Sequence, residues 1–284
     1  MEIQKFIFKP NNKLAEFQTH EIIADANKAL KNSRAELSDL QDIMYADDRY
    51  SLLICLQGMD TSGKDSLTRE VFKDVNVNGI NVHSFKTPNA EELSHDYIWR
   101  HYLKLPERGK IAVFNRTHYE NVLVTKVHPE YVLAENIPQH NSLESIDNSF
   151  FDERMEQINS FEKHLSQNGT IVLKFYLNLS KKEQKKRLLR RLEKPNKNWK
   201  FSEGDLKERK LWDQYMKAYE EMLSKTSKDS IPWYVIPADD KETCRFIISS
   251  IIVDVLKKID FKYPILNELE KNNLENYKFE LEKD

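Results

Sequence analysis

Residues 51–65 read Ser51-Leu52-Leu53-Ile54-Cys55-Leu56-Gln57-Gly58-Met59-Asp60-Thr61-Ser62-Gly63-Lys64-Asp65. The opening run, 51–56, is short, continuous and apolar, as a strand buried on both faces should be. The polar stretch after it carries two glycines five apart and then a lysine, G-x-x-x-x-G-K. Helical spacing follows at once, with Leu67, Val71 and Val75 across 66–75. Strand, glycine loop and helix in that order make a cradle for phosphate. Backbone N–H groups must converge on the anion, side chains would block that approach, and glycine permits the turn. The positive end of the helix faces the same point, and Lys64 can neutralise oxygens between two phosphates. Gly58, Thr61, Ser62, Gly63 and Lys64 are the phosphate-binding candidates. The generic pattern places Ser or Thr after the lysine, its hydroxyl on Mg²⁺, but here that residue is Asp65. With Asp60 it puts two carboxylates beside a polyanion, a costly repulsion unless a divalent cation lies between them. One or more Mg²⁺ ions, held through Asp60 and Asp65, are therefore expected.

Working outward, four more apolar runs (80–85, 111–114, 171–177 and 233–236) read as strands. Helix-length segments 90–105, 150–165, 203–223 and 241–258 separate or follow them, and Gly79, Gly109 and Gly169 each stand just ahead of an apolar run. A helix that ends in a left-handed residue before a strand leaves glycine there. Strands alternating with helices predict a parallel sheet covered on both faces, an α/β doubly wound domain of about five parallel strands. Residues 11–48 read as helix, and 136–148 as a polar surface loop. The partition expected is a single domain over 1–284: N-terminal helices to 48, a core over 49–260, and a charged tail over 261–284. The apolar face of the N-terminal helices (Leu14, Phe17, Ile22, Leu37, Leu40) would bury against the domain or a second subunit, and a homo-oligomer, dimer or tetramer, is expected.

The 44 Lys+Arg nearly cancel 46 Asp+Glu, for a formal charge of −2. That is neither a disordered chain nor, as a whole, a basic nucleic-acid binder, so no nucleic-acid partner is expected. Two cysteines, Cys55 and Cys244, are too few for a disulfide framework. The first residues lack the basic-then-apolar pattern of a signal peptide. The most apolar stretch, 246–256, is short and contains Ser249, Ser250 and Asp254, so it reads as a core helix and not a membrane span. A cytoplasmic protein is expected.

A second motif starts as a buried strand and turns polar abruptly: Ile111-Ala112-Val113-Phe114-Asn115-Arg116-Thr117-His118-Tyr119-Glu120. In open parallel sheets, ligands bind beyond the carboxyl ends of the strands, where Asn115 and Arg116 lie. An aspartate is the usual second Mg²⁺ partner of such a loop; Asn115 offers a neutral carbonyl, while Arg116 can grip phosphate bidentately. Asn115 or Thr117 can also cap the next helix. His118 reads as a packing or hydrogen-bonding histidine ahead of a general base, and no second His or Cys at ligand spacing points to zinc.

Residues 181–210 hold 13 Lys/Arg and 5 Asp/Glu, a local charge of +8, so the rest of the chain must sum to −10. Arg187, Arg190, Arg191 and Lys194 fall on one helical stripe, with Leu188, Leu189 and Leu192 as the packed side. Pro195 breaks the helix, and Trp199, Lys200 and Phe201 keep cations and aromatics together. A basic helix–loop–helix before the last strand is where a closing lid belongs, and lid arginines stabilise a transferring phosphoryl group. The cations exceed what a triphosphate tail needs, which suits a longer polyanion.

With these residues laid out, the chain resembles the family-2 polyphosphate kinases from about Tyr45 to about Leu256. The resemblance rests on the Gly58–Asp65 loop, Ser84-Phe85-Lys86, His95-Asp96-Tyr97-Ile98-Trp99-Arg100 and the second motif through Glu120. It continues in Trp199-Lys200-Phe201-Ser202, Glu208-Arg209-Lys210-Leu211-Trp212 and Trp233-Tyr234-Val235-Ile236-Pro237. It implies a thymidylate-kinase-like P-loop kinase fold with a helical lid over 181–212. It implies reversible phosphoryl transfer from inorganic polyphosphate to nucleotides, AMP to ADP and ADP to ATP, with Mg²⁺ (Mn²⁺ able to substitute). Carried over by motif, Asp60, Lys64, Asp65 and Arg116 are catalytic. Lys86, Arg100, Asn115 and Glu120 serve nucleotide and phosphate, and Arg187, Arg190, Arg191, Lys194 and Lys200 meet polyphosphate. Many members have Asp where this chain has Asn115; Asn there, with Glu120, looks like the subgroup accepting both mono- and diphosphates. Thr117 and Ser66 also differ from the commoner Ser and Gly. Two rivals stand beside this reading: an ATP-dependent nucleotide kinase of the same fold, and a non-catalytic polyanion-binding protein.

Overall fold

The computed structural model describes residues 2–283; Met1 and Asp284, the ends of the expected 1–284 domain, lie outside the described residues. The strands are β1 (Ile7–Phe8), β2 (Ser51–Gln57), β3 (Ile80–Ser84), β4 (Ile111–Asn115), β5 (Thr170–Asn178) and β6 (Trp233–Pro237). The helices are α1 (Ala26–Asp47), α2 (Lys64–Val71), α3 (Ala90–Leu93), α4 (Trp99–Tyr102), α5 (Glu120–Val127) and α6 (Asn148–Gln167). They continue with α7 (Lys181–Glu193), α8 (Pro195–Asn198), α9 (Glu203–Lys210), α10 (Trp212–Thr226), α11 (Lys241–Lys257) and α12 (Glu268–Leu281). The sheet order is β1-β6-β5-β2-β4-β3, and β2 to β6 are mutually parallel.

Alternation along β2 builds the three layers. Leu52, Ile54 and Leu56 face α1, α2 and α11 through Leu37, Met44, Leu67, Val71 and the isoleucines of α11. Leu53 and Cys55 face the other way, beside Phe114, Val172 and Leu165 of α6. A neighbouring cluster on that side joins Tyr176, Trp233 and Val235 to α5, α6 and α10. β2 is the central strand where the order reverses, β5 on one side and β4 on the other. The loop after β2 therefore opens at the switch point of the sheet.

The five expected parallel strands are present, and the structure adds β1, which pairs antiparallel with β6 (Ile7↔Tyr234, Phe8↔Trp233). The expected helix over 11–48 is shorter: α1 begins at Ala26. Upstream, the backbone finds its partners on the domain instead of in its own turns. Leu14 N donates to Glu220, Ile23 N to Thr243, and Asn178 donates to the carbonyls of Phe17 and Gln18. Leu14, Phe17, Leu37 and Leu40 pack on this chain's own core, and Ile22 is exposed. The expected helix 90–105 is two short ones, because Asp96 accepts from the N–H groups of Ile98 and Trp99 and starts a fresh turn. The expected helix 203–223 is broken at Leu211, whose N–H bonds back to Glu208 O while its carbonyl accepts the first bonds of α10. Gly169 (φ +90°) follows α6 as expected. Gly79 has no positive φ; a Cβ there would lie 1.8 Å from Gln41 Nε2, so that side chain would have to move. Among the described residues no helix is long and apolar enough to cross a membrane, and both cysteines are free and buried.

Candidate functional site

The loop after β2 is built on unusual backbone. Gly58 (φ +148°) lies against β5, where a Cβ would come within 3.0 Å of Leu177 Cβ, Leu177 O and Ser62 Oγ. Thr61 (φ +66°) adopts the left-handed conformation without being glycine, and Gly63 (φ +108°) is the N-cap of α2. Strain of this kind persists where the surroundings hold it for a purpose. Lys64 folds back so that Nζ donates to Gly58 O at 2.6 Å. Burial pulls its pKa down, against Asp60 and Glu120, which push it up. The hydroxyls of Thr61 and Ser62 are buried with no partner, a state that an arriving anion would relieve.

Parallel register brings the second motif alongside. Asn115 is paired with Leu56 on β2 and Ser84 on β3. Its Nδ2 donates to Asp65 Oδ1 at 2.6 Å, and its own Oδ1 is buried without a partner. Arg116 (φ +57°) is half exposed, its guanidinium 3.5 Å from Asp60 Oδ1. Neither Asn115 nor Thr117 caps α5, whose N-cap is Tyr119; Thr117 Oγ1 instead accepts from Tyr119 N, ahead of the helix, and from Gln57 Nε2. Gln57 Nε2 also reaches Glu120 Oε1 at 3.1 Å. Burial raises the Glu120 pKa, while Lys64 and Arg116 oppose the rise.

Behind this turn lies a closed polar cluster. His118 Nε2 meets Glu162 Oε1 at 3.1 Å, and the other carboxylate oxygen accepts from Lys174 Nζ at 2.7 Å. Lys174 also donates to Tyr119 Oη and Thr226 O. His118 is thus a buried hydrogen-bonding residue. Cys55, His118 and Glu162 bring three potential metal donors together, all buried. Sequence spacing did not reveal this cluster, because its members come from β2, the second motif and α6. The Lys174 ammonium already supplies its cation.

Above the carboxyl ends of β2, β3 and β4 a cleft of about 820 Å³ is lined by the phosphate loop, α7 and the segment through α8. Its lining holds eleven lysines and arginines and two carboxylates, Asp60 and Asp65. Of the sequence candidates, Thr61, Ser62, Gly63, Lys64, Lys86, Asn115, Arg116, Arg187, Arg190, Arg191 and Lys200 line it with those aspartates. Gly58, Arg100, Glu120 and Lys194 are outside this lining. Gly58 shapes the loop from beneath, and Glu120 is tied to Gln57. Arg100 is buried, donating to Lys86 O and pairing with Glu92. Lys194 is exposed where α7 gives way to α8. Leu189 and Leu192, expected on the packed side of α7, are exposed; Leu188 alone of the three is buried.

The basic stripe is also less uniform than its spacing suggests. Arg187 is buried, and all five of its N–H donors are engaged: two on Thr61 O and Ser62 O, two on Ala238 O and Asp239 O, one on Glu183. Arg191 binds Lys200 O and Asp205. Sequence reasoning missed Arg69, Lys197, Lys241 and Arg245, all in the lining. Lys241 and Arg245 had a readable signal: they stand four apart at the start of the helix that follows β6, on the same edge of a parallel sheet as the phosphate loop.

The sequence pattern of the family described as Polyphosphate kinase 2 matches residues 22–264. The chain belongs to the polyphosphate kinase 2 family. It is 47% identical over 238 residues to an ADP-polyphosphate phosphotransferase of Rhodopseudomonas palustris, covering 84% of this chain and 81% of that protein. It is 40% identical over 239 residues to an AMP/ADP-polyphosphate phosphotransferase of Meiothermus ruber, covering 84% of each. The crystal structure of polyphosphate kinase 2 from Arthrobacter aurescens superposes with a TM-score of 0.84 at 33% identity, over 95% of this chain and 94% of that one. In this polyphosphate kinase 2 chain, the P-loop kinase architecture expected from the sequence is the one observed. The family pattern stops short of α12, which starts at Glu268.

Proposed function

We propose that the protein transfers the terminal phosphoryl group of inorganic polyphosphate to nucleotides, AMP to ADP and ADP to ATP, reversibly and with Mg²⁺. One observation carries the reading: a cleft with eleven cations, whose two carboxylates both belong to the phosphate loop. An ATP-dependent kinase needs fewer cations, and a passive polyanion binder needs no such loop. The name of the Meiothermus relative supports acceptance of both mono- and diphosphates, as does asparagine at position 115.

The acceptor is a phosphate oxygen, already ionised at neutral pH, so no strong general base is required. Catalysis then reduces to alignment and cancellation of charge. Lys64 sits at the mouth of the loop, and Arg116 reaches over it. Arg190, Lys197 and Lys200 line the cleft from the lid side and add positive charge against the donor. Asp60, Asp65 and the unpartnered Asn115 Oδ1 suit a hard divalent cation, since all three offer oxygen and none is locked in a short ion pair. When bound, that ion neutralises phosphate charge and orients the oxygens. A cytoplasmic, homo-oligomeric enzyme with no nucleic-acid partner fits this chemistry.

Incubation with AMP, Mg²⁺ and polyphosphate, followed by chromatography, tests the assignment. ADP and ATP both appear, and neither appears without polyphosphate or after chelation of the metal. ATP from ADP alone, with AMP inert, would keep the donor and remove the subgroup assignment. No product from a folded protein would refute the enzyme.

A further inference from the structure

The cations of the cleft divide by what they already hold. Arg187 is fully engaged with four backbone carbonyls and Glu183, Arg191 with Lys200 O and Asp205, and Arg69 with Glu70. Lys241 and Arg245 differ. They sit one turn apart at the start of α11 and line the cleft. Among the described residues neither makes an ion pair or a side-chain hydrogen bond. They lie past the end of β6, two strands from β2, so about 10 Å of sheet separates them from the strand that leads into the Lys64 loop.

We propose that Lys241 and Arg245 bind phosphates of the donor chain that lie beyond the reacting one, so that this wall of the cleft selects donors by length. The proposal rests on the polyphosphate-donor reading. A donor of three phosphates, seated at Lys64 and Arg116, leaves this wall empty, whereas a long chain crosses it.

The surroundings of Lys241 give the wall a signature. Facing it are Arg187 and Arg190 of α7 and Lys197 of α8, with Arg245 on its own helix. The nearby carboxylates are turned elsewhere. Asp239 accepts from Ser180 N and the Thr19 hydroxyl, Asp240 caps Thr243 N, and Glu242 is exposed. Burial, then these four cations, pull the Lys241 pKa down to about 8. A polyanion on the wall raises it again, so long donors bind with uptake of a proton. Their affinity is full below pH 8 and falls as the free enzyme loses that proton above it. Between pH 7 and pH 9 the loss reaches about tenfold.

The test compares full-length wild type with Lys241→Met, Arg245→Met and Lys241→Arg, using saturating ADP and either tripolyphosphate or long-chain polyphosphate. For each methionine variant, the long-chain KM should rise about tenfold while kcat and the tripolyphosphate KM change less than about twofold. Lys241→Arg should keep the wild-type KM at pH 7 and lose its rise toward pH 9, because arginine does not titrate there. Unchanged KM in both methionine variants at every chain length, with wild-type turnover intact, would overturn the wall alone. A wild type that takes no phosphoryl group from polyphosphate of any length would overturn the donor reading beneath it.

Discussion

Replacing Lys174 with methionine asks what holds the turn that presents Asn115 and Arg116. Lys174 is fully buried and Glu162 nearly so, at 0% and 2% side-chain exposure, so neither can turn to water when its partner goes. The ammonium donates to Glu162 Oε2 (2.7 Å), Thr226 O (2.7 Å) and Tyr119 Oη (3.1 Å), and Tyr119 is three residues past Arg116. Lys174→Met leaves Thr226 O without its donor and the buried Glu162 carboxylate without its cation, with Oε1 still accepting from Tyr119 Oη and facing His118 Nε2. Removing one partner of such a pair costs about 3–5 kcal/mol, a large part of the roughly 5–15 kcal/mol by which domains are stable. Glu162→Gln alone should also destabilise, and the double variant should recover about 1–3 kcal/mol of the summed losses. The pH dependence has a defined sign. In the wild type, burial raises the Glu162 pKa, but Lys174 and His118 outweigh it and hold the group below its ordinary value. Without Lys174 burial prevails, and the folded pKa rises above the unfolded value of about 4.3. The deficit of the variant therefore grows as pH rises through the unfolded pKa and is complete above the raised folded one. Urea unfolding at pH 5 and pH 8 should show the smaller loss at pH 5. A loss below about 1 kcal/mol at pH 8, or strictly additive single variants, would refute the reasoning.

Lys64→Ala should fold normally, by circular dichroism, and lose at least about a hundredfold in turnover; comparable turnover would sink the assignment of the loop. Asn115→Asp removes the donor to Asp65 and sets two carboxylates together, so the ratio of AMP to ADP phosphorylation should shift; an unchanged ratio would leave the subgroup assignment without support. Gly58→Ala should cost about 1–3 kcal/mol in chemical unfolding, since its φ is +148° and its Cβ would press on Leu177. Wild-type stability would mean that the loop can rearrange.

Much of this molecule is legible in its sequence because parallel strands buried on both faces carry their own signal. The run 51–56 and the loop after it place the cleft without further help. What escaped detection has definite causes. β1 is two residues long and exists because β6 is there to pair with. Residues 14–23 have a helical look but satisfy their N–H and carbonyl groups on Glu220, Thr243 and Asn178, partners about 160 to 220 positions away. Lys174 stands in the middle of an apolar run, a visible exception that spacing alone did not connect to Glu162. At the site, residue type was informative and side-chain direction was not. Arg187 and Arg190 share a stripe, yet one is tied to backbone and the other is free of ion pairs among the described residues. Arg100 and Glu120 belong to the matched motifs but sit behind the cleft wall.

The ties of Arg187 bear on how the lid can move. By gripping Thr61, Ser62, Ala238 and Asp239 it joins the middle of α7 rigidly to the phosphate loop. The far end is pinned too: Arg209 donates to Lys181 O and Gln184, and Glu208 is held by His128 and Tyr215. Neither helix can swing as a long lever about a distant hinge. Between the two anchors lies a short bridge, from the last turn of α7 through Pro195 to the start of α9, which carries Lys197, Trp199 and Lys200 and is itself tied back by Arg191 to Lys200 O and by Asn198 to the carbonyls of Arg191 and Leu192. A bridge clamped at both ends holds its cations over the cleft without giving them leverage on the phosphate loop.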